Sequence, residues 1–147
     1  MSDISRLLPQ HSADLSWQQS FYEDLHERPE LSGHEYETAE KIARKLADFD
    51  CEVTTHIGGY GIVAVFRNGE GPTALFRADF DALPIKEETG VPFASTRVRP
   101  AADGTQTGVM HACGHDMHTT ALLGACAVLD AHREAWSGTF LALFPPA

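Results

Sequence analysis

A chain of 147 residues is the size of one domain, and folding at that length removes roughly 68–70% of the unfolded surface from water. The formal net charge of −10 leaves no basic face for nucleic acid, and no window reaches the ~20 apolar residues that a bilayer crossing needs. Met1-Ser2-Asp3-Ile4-Ser5-Arg6 lacks the basic and apolar regions of a signal peptide, and three cysteines are an odd number, which together read as a cytoplasmic chain with reduced thiols.

Residues 1–14 are polar and unpatterned, a loose lead-in to a domain over residues 15–147. Ser16-Trp17-Gln18-Gln19 fits a capping box, with Trp17, Phe21 and Leu25 on one helical face and Pro29 as the stop. Ser32-Gly33-His34-Glu35 fits a second, opening a helix through Ala39, Ile42, Ala43, Leu46 and Phe49. The period then shortens. Cys51–Ile57 alternates, Gly58-Gly59 breaks it, and Ile62–Phe66 is a second strand. After the turn at Asn68–Pro72, Thr73–Phe76 is apolar in the way a central, buried strand is. Residues 82–107 are irregular, punctuated by prolines and glycines. His115–His132 reads as a helix apolar nearly all round, hence buried, and Thr139–Phe144 as a last strand. Helices, then strands, then strand–helix–strand predict a layered α/β fold with a mixed sheet.

The chemistry concentrates in Met110-His111-Ala112-Cys113-Gly114-His115-Asp116-Met117-His118. Thiolate, imidazole and carboxylate are the groups that bind first-row transition metals, and burying so many of them unpaired would be costly. Gly114 lets the backbone turn sharply, so that Cys113 and His115 can face one point. Asp116 and His118 sit in the first helical turn, where a carboxylate is favoured and can orient a histidine ligand from behind. His111 and His118 read either as such supporting groups or as helix-start hydrogen bonders. Arg77-Ala78-Asp79-Phe80-Asp81 adds two carboxylates just past a strand, pointing the same way in an extended segment. Cys51 and Cys126 read as small hydrophobes, and His11, His34, His56 and His132 as surface or capping residues.

The runs Arg77–Ile85 and His111–His118 resemble the two N-terminal motifs of a zinc-metallopeptidase family of aminoacylases, carboxypeptidases and N-acyl-amino-acid amidohydrolases. The Cys-Gly-His-Asp form is similar to its branch of hippurate hydrolases and plant auxin-conjugate hydrolases. His26-Glu27-Arg28-Pro29-Glu30-Leu31, Glu35, Thr38, Ala39 and Gly138-Thr139 fit as well, so the likeness runs from about Trp17 onward. The resemblance implies a three-layer α/β/α zinc-peptidase-like catalytic domain, present here only in its N-terminal part. It implies Cys113 and His115 as metal ligands, Cys113 bridging two divalent metals (Zn or Mn, with Co and Ni open). It makes Asp81 the site-orienting aspartate and puts Asp79 where other branches carry a metal-binding histidine.

Two departures stand out: a longer, more polar Val98–Thr107 segment, and Phe144-Pro145-Pro146-Ala147 where the family runs into Phe-Gln-Pro-Ala-Glu-Glu. The general-base glutamate is therefore expected beyond Ala147, together with further ligands and a lid-and-dimer domain. The implied reaction is hydrolysis of small N-acyl amino acids, with this chain a fragment inactive alone. Two other readings stay open: a non-catalytic metal-binding or self-associating module that forms homo-oligomers, and a Cys113 nucleophile with His111 or His115 as base.

Overall fold

The computed structural model describes residues 13–100 and 104–147, so most of the lead-in at residues 1–14 and part of the Val98–Thr107 segment lie outside the described residues. Helices α1 (Gln18–Glu27) and α2 (Tyr36–Leu46) precede strands β1 (Glu52–Ile57), β2 (Gly61–Asn68) and β3 (Thr73–Arg77). A short hairpin of β4 (Val98–Pro100) and β5 (Gln106–Gly108) interrupts the stretch expected to be irregular. Helix α3 (His115–Ala131), a 3-10 turn at Arg133–Ala135 and strand β6 (Gly138–Phe144) follow.

The sheet is mixed, as expected, in the order β1-β2-β6-β3, with β6 antiparallel to β2 and parallel to β3. Alternation along β2 and β6 decides which face is covered. Ile62, Ala64 and Phe66, with Phe140, Ala142 and Phe144, meet Ile42 and Leu46 of α2 and Leu122, Leu123 and Cys126 of α3 in one core. All three helices lie on this face. Among the described residues the arrangement is thus two layers, and the second helical layer of the expected α/β/α sandwich is not among them. Val63, Val65, Leu141 and Leu143 on the opposite face are only half-buried.

Three local expectations are corrected. Strand β3 is at the sheet edge, not its centre, with Leu75 55% and Phe76 61% exposed. An apolar run shows that a strand wants cover without showing which neighbour supplies it. Neither capping box forms. Helix α1 starts one residue later than the box requires, and the Ser16 amide donates to Asp14 Oδ1 instead (3.0 Å). Helix α2 starts at Tyr36, and its first-turn amides at Glu37 and Thr38 donate to the buried Glu30 carboxylate at 3.2 and 2.7 Å. Glu35 accepts instead from the amides of Gly33 and Ala147 (2.9 and 3.2 Å).

Helix α3 follows its sequence closely. Leu122, Leu123, Cys126 and Ala127 are buried, while Ala121 and Ala125 are exposed, so it is covered on most but not all sides. It packs chiefly against α1, where Gln18 Nε2 donates to Thr120 O (3.1 Å) over Gly124.

Candidate metal centre

Beyond β3 the chain stays extended and the alternation continues. Ala78, Phe80 and Ala82 are buried, and Asp79 and Asp81 between them are half-buried on the other side, as the sequence reading required. Two tie points then bring distant segments to this strand end. The Ala82 amide donates to Glu30 O (2.7 Å), and Leu83 and Met110 exchange both backbone hydrogen bonds (2.9 and 3.0 Å). The second bond sets Met110 beside the aspartates, so His115 arrives at Asp81 across more than thirty residues of intervening chain.

Gly114 is the N-cap of α3 at φ +75°, a left-handed conformation that glycine adopts freely. Cys113 precedes it and is exposed; His115 follows as the first helical residue and is partly buried. His115 Nδ1 lies 2.9 Å from Asp81 Oδ1 and 3.1 Å from the Asp81 carbonyl, while Asp81 Oδ2 accepts from the Ser32 hydroxyl (2.6 Å). Since an ionised carboxylate only accepts, Nδ1 carries a proton, and in the neutral ring Nε2 keeps the lone pair. This carboxylate–imidazole pair is the form in which proteins present histidine to a metal.

Asp79 is engaged differently. It forms a two-pronged ion pair with Arg77 (2.8 and 3.1 Å), and that hydrogen bonding holds its carboxyl below the usual range, helped by the nearby His115 and His118 rings. Its carbonyl accepts from the Thr119 hydroxyl (3.2 Å). The exposed His118 ring sits 6.0 Å from that of His115, centroid to centroid. His111 is 5% exposed with neither ring nitrogen hydrogen-bonded, and burial pushes it down to about 4.

Asp116 does not orient a histidine of its own motif. Its side chain is buried and its Oδ2 lies 2.6 Å from Nδ1 of His26, whose Nε2 lies 2.9 Å from Glu87 Oε1. The sequence reading missed His26 and Glu87 as members of this cluster. Their contacts span 90 and 61 positions, and no periodicity within one element signals them.

Cys113, His115 and the carboxylate behind the latter fit a divalent cation in donor type and tautomer. They do not enclose one. Among the described residues no three histidine, cysteine, aspartate or glutamate side chains converge on a cation-sized point.

A mixed sheet with helices on it, carrying its chemistry past the end of β3 and at the start of α3, defines an α/β domain. Residues 75–147, just under half of the chain, match the model of peptidase family M20/M25/M40. It is 44% identical over 126 residues to N-acetylcysteine deacetylase of Bacillus subtilis, covering 84% of this chain and 31% of that protein. Hippurate hydrolase of Campylobacter jejuni is 40% identical over 84% of this chain and 30% of its own length. The Bacillus subtilis YXEP protein, a dinuclear metal-binding peptidase of the M20 family, superposes with a TM-score of 0.78 at 38% identity, over 90% of this chain and 35% of its own. The chain thus spans about a third of the length of the proteins it matches. No helix among the described residues is long and apolar enough to cross a membrane.

Proposed function

We propose that this chain carries part of the active site of a metal-dependent amidohydrolase that cleaves the amide bond of N-acyl amino acids. The observation that carries the reading is His115, held by Asp81 at 2.9 Å so that Nε2 is free for a ligand bond, one glycine from Cys113. Cys113 and His115 would hold the cation, with two cations in the complete site. Thiolate and imidazole favour Zn and also accept Mn, Co or Ni. A bound cation would supply Lewis acidity toward the amide carbonyl and a water with its pKa lowered from 15.7 toward ~7.

This chain's own residues prepare the place. Asp81 fixes tautomer and ring direction, Ser32 fixes Asp81, and Asp79, kept ionised by Arg77, adds negative potential beside His115 and His118. His118 lies beside His115, Asp116 holds His26 behind the motif, and the buried His111 ring fills the space next to them without a hydrogen bond of its own. The general-base glutamate is proposed to lie outside these 147 residues, so the chain alone hydrolyses substrate at a negligible rate. A cytoplasmic setting suits its free thiols.

Cobalt(II) titration tests the reading. The wild-type chain is expected to show a sulfur-to-cobalt charge-transfer band that Cys113→Ser abolishes and that His115→Ala weakens at least tenfold in affinity, by loss of one ligand. Hippurate turnover by the chain should stay near background. A cobalt spectrum indifferent to Cys113→Ser would defeat the metal assignment. The second reading, a self-associating module, is favoured by one observation, the exposed strand β3.

A further inference from the structure

His26 is 6% exposed and sits between two carboxylates brought from far apart in the chain. Both of these side chains are almost wholly buried, Glu87 at 0% and Asp116 at 2% exposure. Ionised carboxylates only accept, so both ring nitrogens must donate, and an imidazole donating from both nitrogens is a cation. The remaining carboxylate oxygens are also satisfied. Glu87 Oε2 accepts from the Ser95 amide (2.6 Å), Glu87 Oε1 also accepts from the Thr89 hydroxyl, and Asp116 Oδ1 accepts from the Met117 amide (2.8 Å). Tyr22 and Phe93 pack on the imidazole with ring centroids 5.7 and 5.4 Å away.

We propose that His26 is a positioning residue for the metal motif: a buried imidazolium whose two charge-assisted hydrogen bonds lock the first turn of α3 and the 84–95 segment in the arrangement from which Cys113 and His115 act. The inference rests on the metal-centre reading above and extends it to a residue on another helix. Removing the cation would leave two buried carboxylates facing each other, a strongly unfavourable arrangement. The strain falls directly on Asp116, the neighbour of His115.

The groups facing His26 agree with its charge. Glu87 comes from the 84–95 segment and Asp116 from α3, Tyr22 belongs to its own helix, and His111 approaches from the stretch before α3. Burial, the largest single influence, pulls His26 down. The hydrogen bonds and charges of Glu87 and Asp116 together exceed it and hold the imidazole above its ordinary value. The positive ring in turn helps to keep buried His111 neutral.

A nitrogen-15 NMR pH titration of the wild-type chain reads the first half directly. Both His26 nitrogens should stay protonated to higher pH than in an ordinary histidine of pKa ≈ 6.5; a ring that loses its second proton at or below that value overturns the proposal without any variant being made. The second half uses His26→Gln. Amide exchange at Ser95 and Met117 should accelerate, and cobalt affinity should fall by roughly tenfold to a hundredfold, as for other groups that support ligands from behind. A folded His26→Gln chain with wild-type cobalt affinity overturns the positioning role alone. Absence of cobalt binding by the wild-type chain instead defeats the metal reading and this role with it.

Discussion

The two oxygens of Asp81 have separate partners, His115 Nδ1 at 2.9 Å and the Ser32 hydroxyl at 2.6 Å. Asp81→Asn keeps the shape and removes the charge that makes Nε2 a good donor. Cobalt affinity should fall by roughly tenfold to a hundredfold in a titration, and Ser32→Ala, which removes only the bond behind the aspartate, should cost less. Protonation of the buried histidines makes stability depend on pH with two opposite signs. His26 has a folded pKa raised above its ordinary value of 6.5, so its contribution is complete below 6.5 and is lost as pH rises through the folded value. His111, pushed down to about 4 by burial, acts on the acid side, where stability falls as pH drops from about 6.5 toward 4. Urea midpoints should therefore decline in the wild-type chain as pH rises above about 6.5, and the part of that decline due to His26 should vanish in His26→Gln. The pair Asp79 and Asp81 was legible in the sequence because alternation along one segment settles which way each points. The pairing of Asp116 with His26 was not, since it depends on how α1 packs on α3.

Gly114 shows how an element boundary can serve chemistry. An added Cβ there would meet nothing within 4 Å, so substitution tests the left-handed backbone and not a clash. Gly114→Ala should destabilise the chain by about 1–2 kcal/mol in urea unfolding, the cost of holding an L-residue in that conformation. If the chain relieves the strain by re-aiming Cys113, cobalt affinity falls as well. The turn at Gly114 and the extent of α3 could be read from residues 113–131, where a glycine is followed by a long apolar run. The starts of α1 and α2 could not. The serines offered for capping are local, whereas Glu30 reaches its amides from seven and eight residues upstream. A search for residues three apart does not see such a cap.

At the scale of the whole molecule, both edge strands, β1 and β3, are exposed throughout, and the more exposed large apolar side chains of the two are Leu75 and Phe76 of β3. Every residue from Thr73 to Arg77 is exposed, one edge of the strand has no partner among the described residues, and Leu75 and Phe76 project to opposite faces. The half-buried Val63, Val65, Leu141 and Leu143 extend the Leu75 face across the sheet. The α/β class and mixed sheet followed from the order of periodicities, but this exposure did not. An apolar strand reads the same whether its neighbours are present or absent. A free apolar edge is a template for a second strand, and the nearest source in a pure solution is another copy of the same chain. Opposing this, a net charge of −10 repels copies at long range, an effect that salt screens over a Debye length of about 8 Å at physiological ionic strength. Sedimentation equilibrium should therefore show association that grows with protein concentration and strengthens with added salt. Lysine at both Leu75 and Phe76 places charge on each face of the edge strand and should return the chain to monomer without touching the Asp81–His115 pair, so its cobalt spectrum should stay as in the wild type. A wild-type chain that stays monomeric at high concentration and high salt would mean that the twist of β3 or its flanking charges already block pairing.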